Sequence, residues 1–227
     1  SGIAREDLFL VTKVWISNAG DERAAKSIDE SLRKLETDYI DLLLIHQAFG
    51  DYYGTYRAMQ KALEAGKVRA IGLSNFVDAR FVDLVENMEV KPAVLQLETH
   101  VFSQQKRMRE LMAPYGTRLM AWAPLAEGRN GIFTHPTLTA IGAKYGKTAA
   151  QTALRFLMAE DVIAIPKSVH RERLVENFSI DDFELSAEDL DAIRALDGGK
   201  PMFADFNDPT LAKFLLEYDA KFNPERQ

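Results

Sequence analysis

The sequence predicts an α/β protein: a (β/α)8 TIM barrel, of which these 227 residues supply about the last six βα units plus a C-terminal helix and tail. Two observations carry the prediction. Short apolar runs alternate with amphipathic helical segments, which is typical of parallel strands buried on both faces. The units recur at intervals of roughly 30 residues, which favours a barrel over an open sheet. A closed barrel of this type needs eight units, so about two would precede the first one seen here.

The first elements follow one another closely. After an initial strand, apolar residues at helical spacing predict a helix from Asp21 to Leu35, which returns the chain to a strand at 40–45. A second helix, around Tyr56 to Ala65, stops before Gly66, a residue suited to the left-handed conformation that follows a helix. The apolar run from Val68 to Leu73 predicts the next strand.

The later elements repeat the pattern: helix 78–87, strand 93–97, helix 104–113, strand 118–122 and strand 162–165. The long interval before the last strand includes residues 126–136, whose glycines and proline predict a loop at the active face. Ser186, followed by acids and periodic apolar residues, predicts a helix to Leu196. The tail after Gly199 is expected to cover the barrel with four aromatics, Phe203, Phe206, Phe214 and Phe222.

Composition limits the function classes. One domain over residues 1–227 is expected from the length and the 47% hydrophobic content. A formal charge of -6 and a pI near 5.3 argue against a nucleic-acid partner. No apolar run is long enough to predict a membrane partner, and no pair of histidines has metal-ligand spacing. The absence of cysteine agrees with a cytoplasmic location. The start at Ser1, without Met, suggests that the first barrel units are missing.

Polar or aromatic residues stand where the predicted strands give way to loops. They are Lys13, His46, Ser74 with Asn75, Gln96, Trp122, and Lys167 with Ser168. The C-terminal ends of barrel strands converge on one face, where the chemistry of such proteins lies. Six strand ends that carry functional side chains therefore predict one shared pocket.

Each of these residues has two interpretations. Lys13 emerges from a buried strand, so it faces an anion or lowers a neighbour's pKa, unless it merely closes the strand at the surface. His46 could orient a carbonyl oxygen or be a core histidine. Asn75 and Gln96 suit recognition of a carboxamide, although both could cap loops. Trp122 could stack on a planar ring or fill the core.

The segment IPKSVHRERLVEN, residues 165–177, is the most specific element. A strand ends, Lys167 and Ser168 follow, and a helix begins with Arg171 and Arg173 in its first turns. Helix N-terminal amides together with basic side chains bind phosphate, and barrels often hold phosphate after their last strands. The alternative is a solvated charged helix. No dinucleotide-fold or P-loop glycine motif occurs.

Together these residues resemble the aldo-keto reductase family over nearly the whole chain. The matching stretches are REDLFLVTKVW (5–15), DYIDLLLIHQ (38–47), GKVRAIGLSNF (66–76), LQLE (95–98), AWAPLAEG (121–128) and IPKSVHRERLVENF (165–178). HQAFGDYYG (46–54) is similar to the bacterial diketogluconate and glyoxal reductase branch. The resemblance implies an NADPH-dependent (β/α)8 barrel that reduces aldehydes and ketones with an Asp, Tyr, Lys and His set. It also implies a small carbonyl substrate and, if the full barrel is present, a monomer.

The resemblance assigns roles to residues of this sequence. Lys13 would lower the pKa of the catalytic Tyr, and His46 would orient the carbonyl. The implied cofactor-binding residues are Ser74, Asn75 and Gln96 for the carboxamide; Trp122 for the ring; Lys167, Ser168 and Arg173 for the 2′-phosphate; Glu176 and Asn177 for the adenine; and Pro124, Leu125 and Val169 without a specified part of the cofactor. Trp15 and Phe49 are candidates for substrate walls.

The sequence departs from the family in three places. The family's Asp and Tyr lie before the Lys strand, and nothing in this sequence corresponds to them. Ala48 replaces a common Pro, and Thr99 stands where a Tyr is frequent. Tyr52 and Tyr53, in the loop after His46, are candidate replacement donors, without a sequence reason to expect the required geometry. Two alternatives therefore stay open: a fragment or pseudoenzyme that only binds NADPH, and a barrel isomerase or lyase that uses the phosphate site.

Overall fold

A computed structural model describes residues 2–222, without the side chain of Phe222. Ser1 and residues 223–227 of the predicted domain lie outside the described residues. The predicted part of the Phe222 side chain in the aromatic cover also lies outside them. The strands are β1 Val11–Val14, β2 Leu42–Ile45, β3 Ile71–Ser74, β4 Val94–Glu98, β5 Arg118–Trp122 and β6 Ile163–Ala164. The α-helices are α1 Asp21–Leu35, α2 Tyr52–Glu64, α3 Ala79–Asn87, α4 Lys106–Met112, α5 Pro136–Tyr145, α6 Ala149–Ala159, α7 Arg171–Phe178, α8 Ala187–Arg194 and α9 Pro209–Phe222.

The strands form one sheet in chain order, from β1 to β6, and helices separate them along the chain. β1 runs parallel to β2 with Lys13 opposite Leu44, and β2 runs parallel to β3 with Leu44 opposite Gly72. β5 and β6 are also parallel. Every residue of β2 and β3 is buried, as expected for strands covered on both faces. This is the predicted α/β architecture.

The chain groups into two compact units. The first comprises Ser1–Leu95, Leu111–Thr117 and Ala204–Gln227, within the limits of the described residues. Its strands β1 to β3 pack against helices whose apolar faces are buried, with Ile28, Leu44 and Phe81 at 1% exposure or less. The buried carboxylate of Asp41 accepts hydrogen bonds from Arg5 (2.8 Å), from Arg69 (3.2 Å) and from the backbone N–H of Leu10 (2.9 Å).

The tail of the first unit packs partly as predicted. Trp15 Nε1 donates to Asp219 on α9 at 3.0 Å, and Arg80 on α3 donates to the carbonyl of Phe206 at 2.7 Å. Phe206 is buried, whereas Phe214 is 59% exposed. The expectation of an aromatic cover is therefore right for Phe206 and wrong for Phe214, because only one face of an amphipathic helix such as α9 can be covered.

The second unit comprises Gln96–Glu110 and Arg118–Phe203. It contains α5 and α6, which the sequence interpretation missed. Thr148 begins α6 with a capping box in which its hydroxyl and the Gln151 side chain each bind the other residue's backbone N–H. The loop predicted at 126–136 is largely helical: Ala126–Thr134 forms 3-10 turns joined at a kink, and α5 begins at Pro136. Glu127 and Asn130 have positive φ there, so the turns cannot merge into one helix.

Two other boundaries differ from the prediction. α2 begins at Tyr52 instead of Tyr56, because the Asp51 carboxylate caps the N–H of Gly54 at 2.8 Å and lets the helix start earlier. β3 is Ile71–Ser74 instead of the predicted run from Val68 to Leu73, so Ser74 is its last residue, and Lys13 lies one residue before the end of β1. Their side chains are thus oriented by the strand pleat.

Candidate functional site

The first unit brings His46 and Lys13 within electrostatic reach of each other. His46 directly follows β2, and its backbone N–H donates to the carbonyl of Val14 on β1 at 3.0 Å. Burial, and secondly the positive charge of Lys13, lower the pKa of His46 to about 4. The imidazole is therefore neutral at physiological pH and can donate one hydrogen bond to an uncharged oxygen.

Lys13 is half-buried, and the loss of solvation lowers the pKa of its ammonium. Among residues 2–222 it forms no ion pair with a carboxylate. A desolvated ammonium without a partner anion is costly, and it gains energy from any negative charge that develops beside it. The pair thus combines a neutral hydrogen-bond donor with a cation.

Trp15 lies beside His46. The two rings meet edge to face with centroids 4.8 Å apart, and the indole N–H is bonded to Asp219. Trp15 is only partly buried, which fits a wall that a substrate could touch. Phe49 is different: it is 7% exposed, and the Arg80 guanidinium lies 4.9 Å from its ring centroid. A role for Phe49 as a substrate wall stays a prediction.

The predicted carboxamide-binding residues of this unit, Ser74 and Asn75, are both buried at the end of β3. Asn75 has φ of 61°, a left-handed conformation that Asn tolerates better than most residues. Its Nδ2 contacts the carbonyl of His46 at 3.2 Å and Oε1 of Gln47 at 3.3 Å. Asn75 therefore also ties the loop after β2 to the end of β3.

Tyr52 and Tyr53, the candidate replacement donors, are both hydrogen-bonded to Asp83 in this structure. Tyr52 donates to the Asp83 carboxylate at 3.3 Å, and Tyr53 donates to the Asp83 carbonyl at 3.1 Å. Burial, with Asp83 adding to it, raises the pKa of Tyr53 to about 12, and the pKa of Tyr52 is raised as well. A proton donor next to Lys13 would be shifted in the opposite direction.

The second unit contains the remaining predicted cofactor residues. Gln96 is buried, and its Nε2 contacts the sulfur of Met120 at 3.1 Å, a weak acceptor. Trp122, at the end of β5, is partly exposed, and its ring centroid lies 5.6 Å from that of Phe203. Pro124 is buried, and Leu125 packs against the apolar cluster of Leu154, Ile180 and Phe183.

The segment predicted to bind phosphate has the expected form. Ser168 Oγ accepts from the backbone N–H of His170 at 3.1 Å, and α7 begins at the next residue without a side-chain cap on its N-terminus. Lys167, Val169 and Arg173 are exposed. Within residues 2–222 neither Lys167 nor Arg173 has a carboxylate partner. Open helix amides beside two unpaired cations suit an anion.

The two predicted adenine residues lie further along α7. Glu176 accepts a hydrogen bond from Thr148 Oγ1 at 2.6 Å, so its carboxylate is already engaged within the protein. Asn177 lines a cavity of about 660 Å³ together with Leu174, Phe178 and other mainly apolar residues. Their contact with adenine stays a prediction.

Sequence reasoning missed a buried polar group in the second unit. Glu98, the last residue of β4, is 3% exposed, and His100 is fully buried. Glu98 accepts hydrogen bonds from His100 and from the backbone N–H groups of Met202 and Phe203. An acid and a histidine two residues apart at the end of an apolar run, LQLETH, were the available signal.

Comparison with known proteins decides the family. The family model described as "Aldo/keto reductase family" matches residues 2–198. The chain belongs to the aldo/keto reductase family. It is therefore an oxidoreductase, and the resemblance seen in the sequence is confirmed, as is the predicted fold class. None of the helices among residues 2–222 has the length and apolar character needed to cross a bilayer.

Individual relatives agree with this assignment. The chain is 43% identical over 197 residues to glyoxal reductase of Bacillus subtilis (strain 168), covering 86% of this chain and 71% of that protein. It resembles the structure of MGS-M4, an aldo-keto reductase from a deep-sea metagenome library, with a TM-score of 0.88 and 38% identity. The match covers 92% of this chain and 78% of the MGS-M4 chain. The structure of a Gox0644 mutant in complex with NADPH matches with a TM-score of 0.85 and 33% identity. The match covers 89% of this chain and 76% of the Gox0644 chain.

Proposed function

We propose that the protein reduces a small aldehyde or ketone, such as a dicarbonyl or keto-sugar, to the alcohol with NADPH. The observation that carries the proposal is the pairing of a neutral His46 with a desolvated Lys13 at adjacent strand ends. The name of the glyoxal reductase relative supports a dicarbonyl substrate. The cofactor is NADPH, as in the solved relative. A cytoplasmic location and a monomeric state stay predictions.

The residues of this chain fit NADPH. Lys167 and Arg173 lie exposed, without an acidic partner among residues 2–222, at the open N-terminus of α7, a donor set suited to the 2′-phosphate. Asn75 and Gln96 are buried amides suited to a carboxamide, and Trp122 offers a partly exposed ring. When bound, the cofactor supplies the hydride that the carbonyl carbon accepts.

In the proposed reaction the neutral imidazole of His46 donates a hydrogen bond to the carbonyl oxygen and orients it. As the carbon accepts the hydride pair, negative charge grows on that oxygen. The Lys13 ammonium stabilises this charge and lowers the pKa of the acid that protonates the oxygen. The resemblance assigns this proton to a Tyr outside the present sequence. The hydroxyls of Tyr52 and Tyr53 are bonded to Asp83, which argues against either of them as the donor.

The test measures NADPH oxidation at 340 nm by the natural full-length protein with methylglyoxal and with a diketo sugar acid. We expect turnover that falls by about 100-fold or more in Lys13→Met and His46→Ala, since each removes a transition-state interaction. Lys61→Met, at an exposed lysine of α2, is the matched control and should retain activity. Turnover unaffected by both site variants would refute the assignment.

Cofactor choice is tested separately. Arg173→Met should weaken NADPH binding by about tenfold and leave NADH binding nearly unchanged, because only NADPH carries the 2′-phosphate. Equal loss for both cofactors would contradict the predicted site. Tight NADPH binding without turnover of any small carbonyl would favour a pseudoenzyme, and the absence of nicotinamide binding would favour an isomerase or lyase.

A further inference from the structure

Glu98 is a buried acid that the proposed reaction does not use. Its Oε1 accepts from the backbone N–H of Met202 at 2.5 Å and from His100 Nε2 at 3.2 Å, and its Oε2 accepts from the N–H of Phe203 at 3.1 Å. His100 Nδ1 accepts from the backbone N–H of Phe102 at 3.2 Å, so the ring proton lies on Nε2 and is donated to Glu98. Each of these three groups donates its hydrogen bond to the carboxylate.

A carboxylate matches this arrangement in a way that an amide does not. Burial alone would raise the pKa of Glu98, but the hydrogen bonds from His100 and the two backbone amides outweigh burial and lower it. A glutamine at this position would turn its NH₂ toward at least one of the three donors. Residue 98 is only 3% exposed, so water has little access to the donor that would be left without an acceptor.

The backbone that Glu98 binds carries Phe203. The Phe203 ring lies 5.6 Å from Trp122 and 6.1 Å from His100, between ring centroids, and the Arg129 guanidinium lies 4.4 Å from it. Asn130, one residue along, contacts the sulfur of Met202 at 3.4 Å. The partly exposed Phe203 ring is thus flanked by aromatic and cationic neighbours, while its backbone N–H is held by one carboxylate.

We propose that Glu98 is a positioning residue for the cofactor: by binding the N–H groups of Met202 and Phe203 it seats Phe203 against Trp122 and fixes the plane of the indole. This rests on the proposed function, since it takes Trp122 as the ring that meets the nicotinamide. Glu98 itself touches neither cofactor nor substrate. Its loss acts through Phe203, and this dependence can be measured.

The experiment is a double-mutant cycle in the natural full-length protein, with calorimetric NADPH binding and kcat as readouts. Glu98→Gln should weaken NADPH binding about tenfold with Phe203 present and less than about twofold in a Phe203→Ala background, because the effect passes through that ring. Glu160→Gln is the matched control. Glu160 is also a largely buried acid of this unit, bound to Arg109 and Arg194, and its loss should lower thermal stability without weakening NADPH.

The outcomes are separable. An equal effect of Glu98→Gln in both backgrounds, no effect in either, or an equal effect of Glu160→Gln would overturn the proposal. Wild-type protein that binds no NADPH would defeat the proposed function and this proposal together. If Glu98→Gln does not fold, Phe203→Leu serves instead: it keeps every backbone hydrogen bond to Glu98, and unchanged NADPH binding in that variant would overturn the proposal.

Discussion

Replacing Lys13 by methionine should raise the pKa of His46. The pKa lies at about 4 against an ordinary value of 6.5, and burial is a larger cause than the charge of Lys13. Removing the charge should therefore restore less than half of the difference, giving a pKa of about 5, which corresponds to about 1.4 kcal/mol. Methionine keeps most of the side-chain volume, so burial of the imidazole should change little.

The assay is an NMR titration of the His46 ring nitrogens in the wild-type protein and in two variants. Lys13→Met should titrate about one pH unit above the wild type, and Lys13→Arg, which retains the charge, should titrate with it. A wild-type pKa near 6.5 would show that His46 is not desolvated as the structure indicates. A pKa unchanged in Lys13→Met, or raised equally in Lys13→Arg, would show that the charge of Lys13 is not a cause.

The same pKa makes stability depend on pH. His46 takes up a proton more readily in the unfolded chain, near pH 6.5, than in the folded protein, near pH 4. Its contribution to the free energy of unfolding is complete above pH 6.5 and is lost as the pH falls toward 4. Because the ring is partly exposed, we expect a loss of about 2 kcal/mol, measured by urea unfolding at pH 7 and pH 4.5. The loss should be smaller in Lys13→Met.

Three further substitutions test the packing. Gly72→Ala should lower the free energy of unfolding by about 2 kcal/mol, because a Cβ at this position in β3 would lie 2.6 Å from the Val94 carbonyl; a loss below 0.5 kcal/mol in urea unfolding would contradict this. Asp41→Asn should lower the free energy of unfolding by about 3 kcal/mol at pH 7, since it leaves Arg5 and Arg69 without their buried carboxylate. At low pH the difference in free energy of unfolding between this variant and the wild type should become smaller. The pKa of Asp41 is lowered in the folded protein, so its stabilising contribution is lost as the carboxylate becomes protonated. Thr148→Ala should cost about 1 kcal/mol through loss of the α6 cap, against almost no change for the exposed Thr139→Ala, and equal melting temperatures would refute the capping role.

Much of the fold was predictable because local patterns report burial directly. The helix from Asp21 to Leu35 and the strand from Arg118 to Trp122 have the predicted limits, since apolar spacing of 3.6 or continuous apolar runs leave few alternatives. α5 and α6 were missed between two clear strands. Both are rich in alanine and small residues, and glycines and a proline before them resemble a loop.

The sequence likewise predicted some features of the site and missed others. The ends of strands can be predicted from local sequence patterns, so Lys13, His46, Asn75 and the segment around Lys167 could be named from spacing and residue type. The family followed from the order of these motifs. Their catalytic and cofactor roles stay predictions. The fate of the tyrosines could not be predicted, because the hydroxyls of Tyr52 and Tyr53 reach Asp83 about thirty residues away in the chain.

The sequence by itself determined the class of fold, the order of strands and helices, and the family, because each depends on residues that are neighbours or regularly spaced along the chain. Only the tertiary structure decided that His46 is neutral and that Glu98 binds the backbone at Met202 and Phe203. Solvation and hydrogen bonding depend on which groups enclose an atom in space. Glu98 and Phe203 are more than a hundred residues apart in the chain, a separation that no local pattern reports.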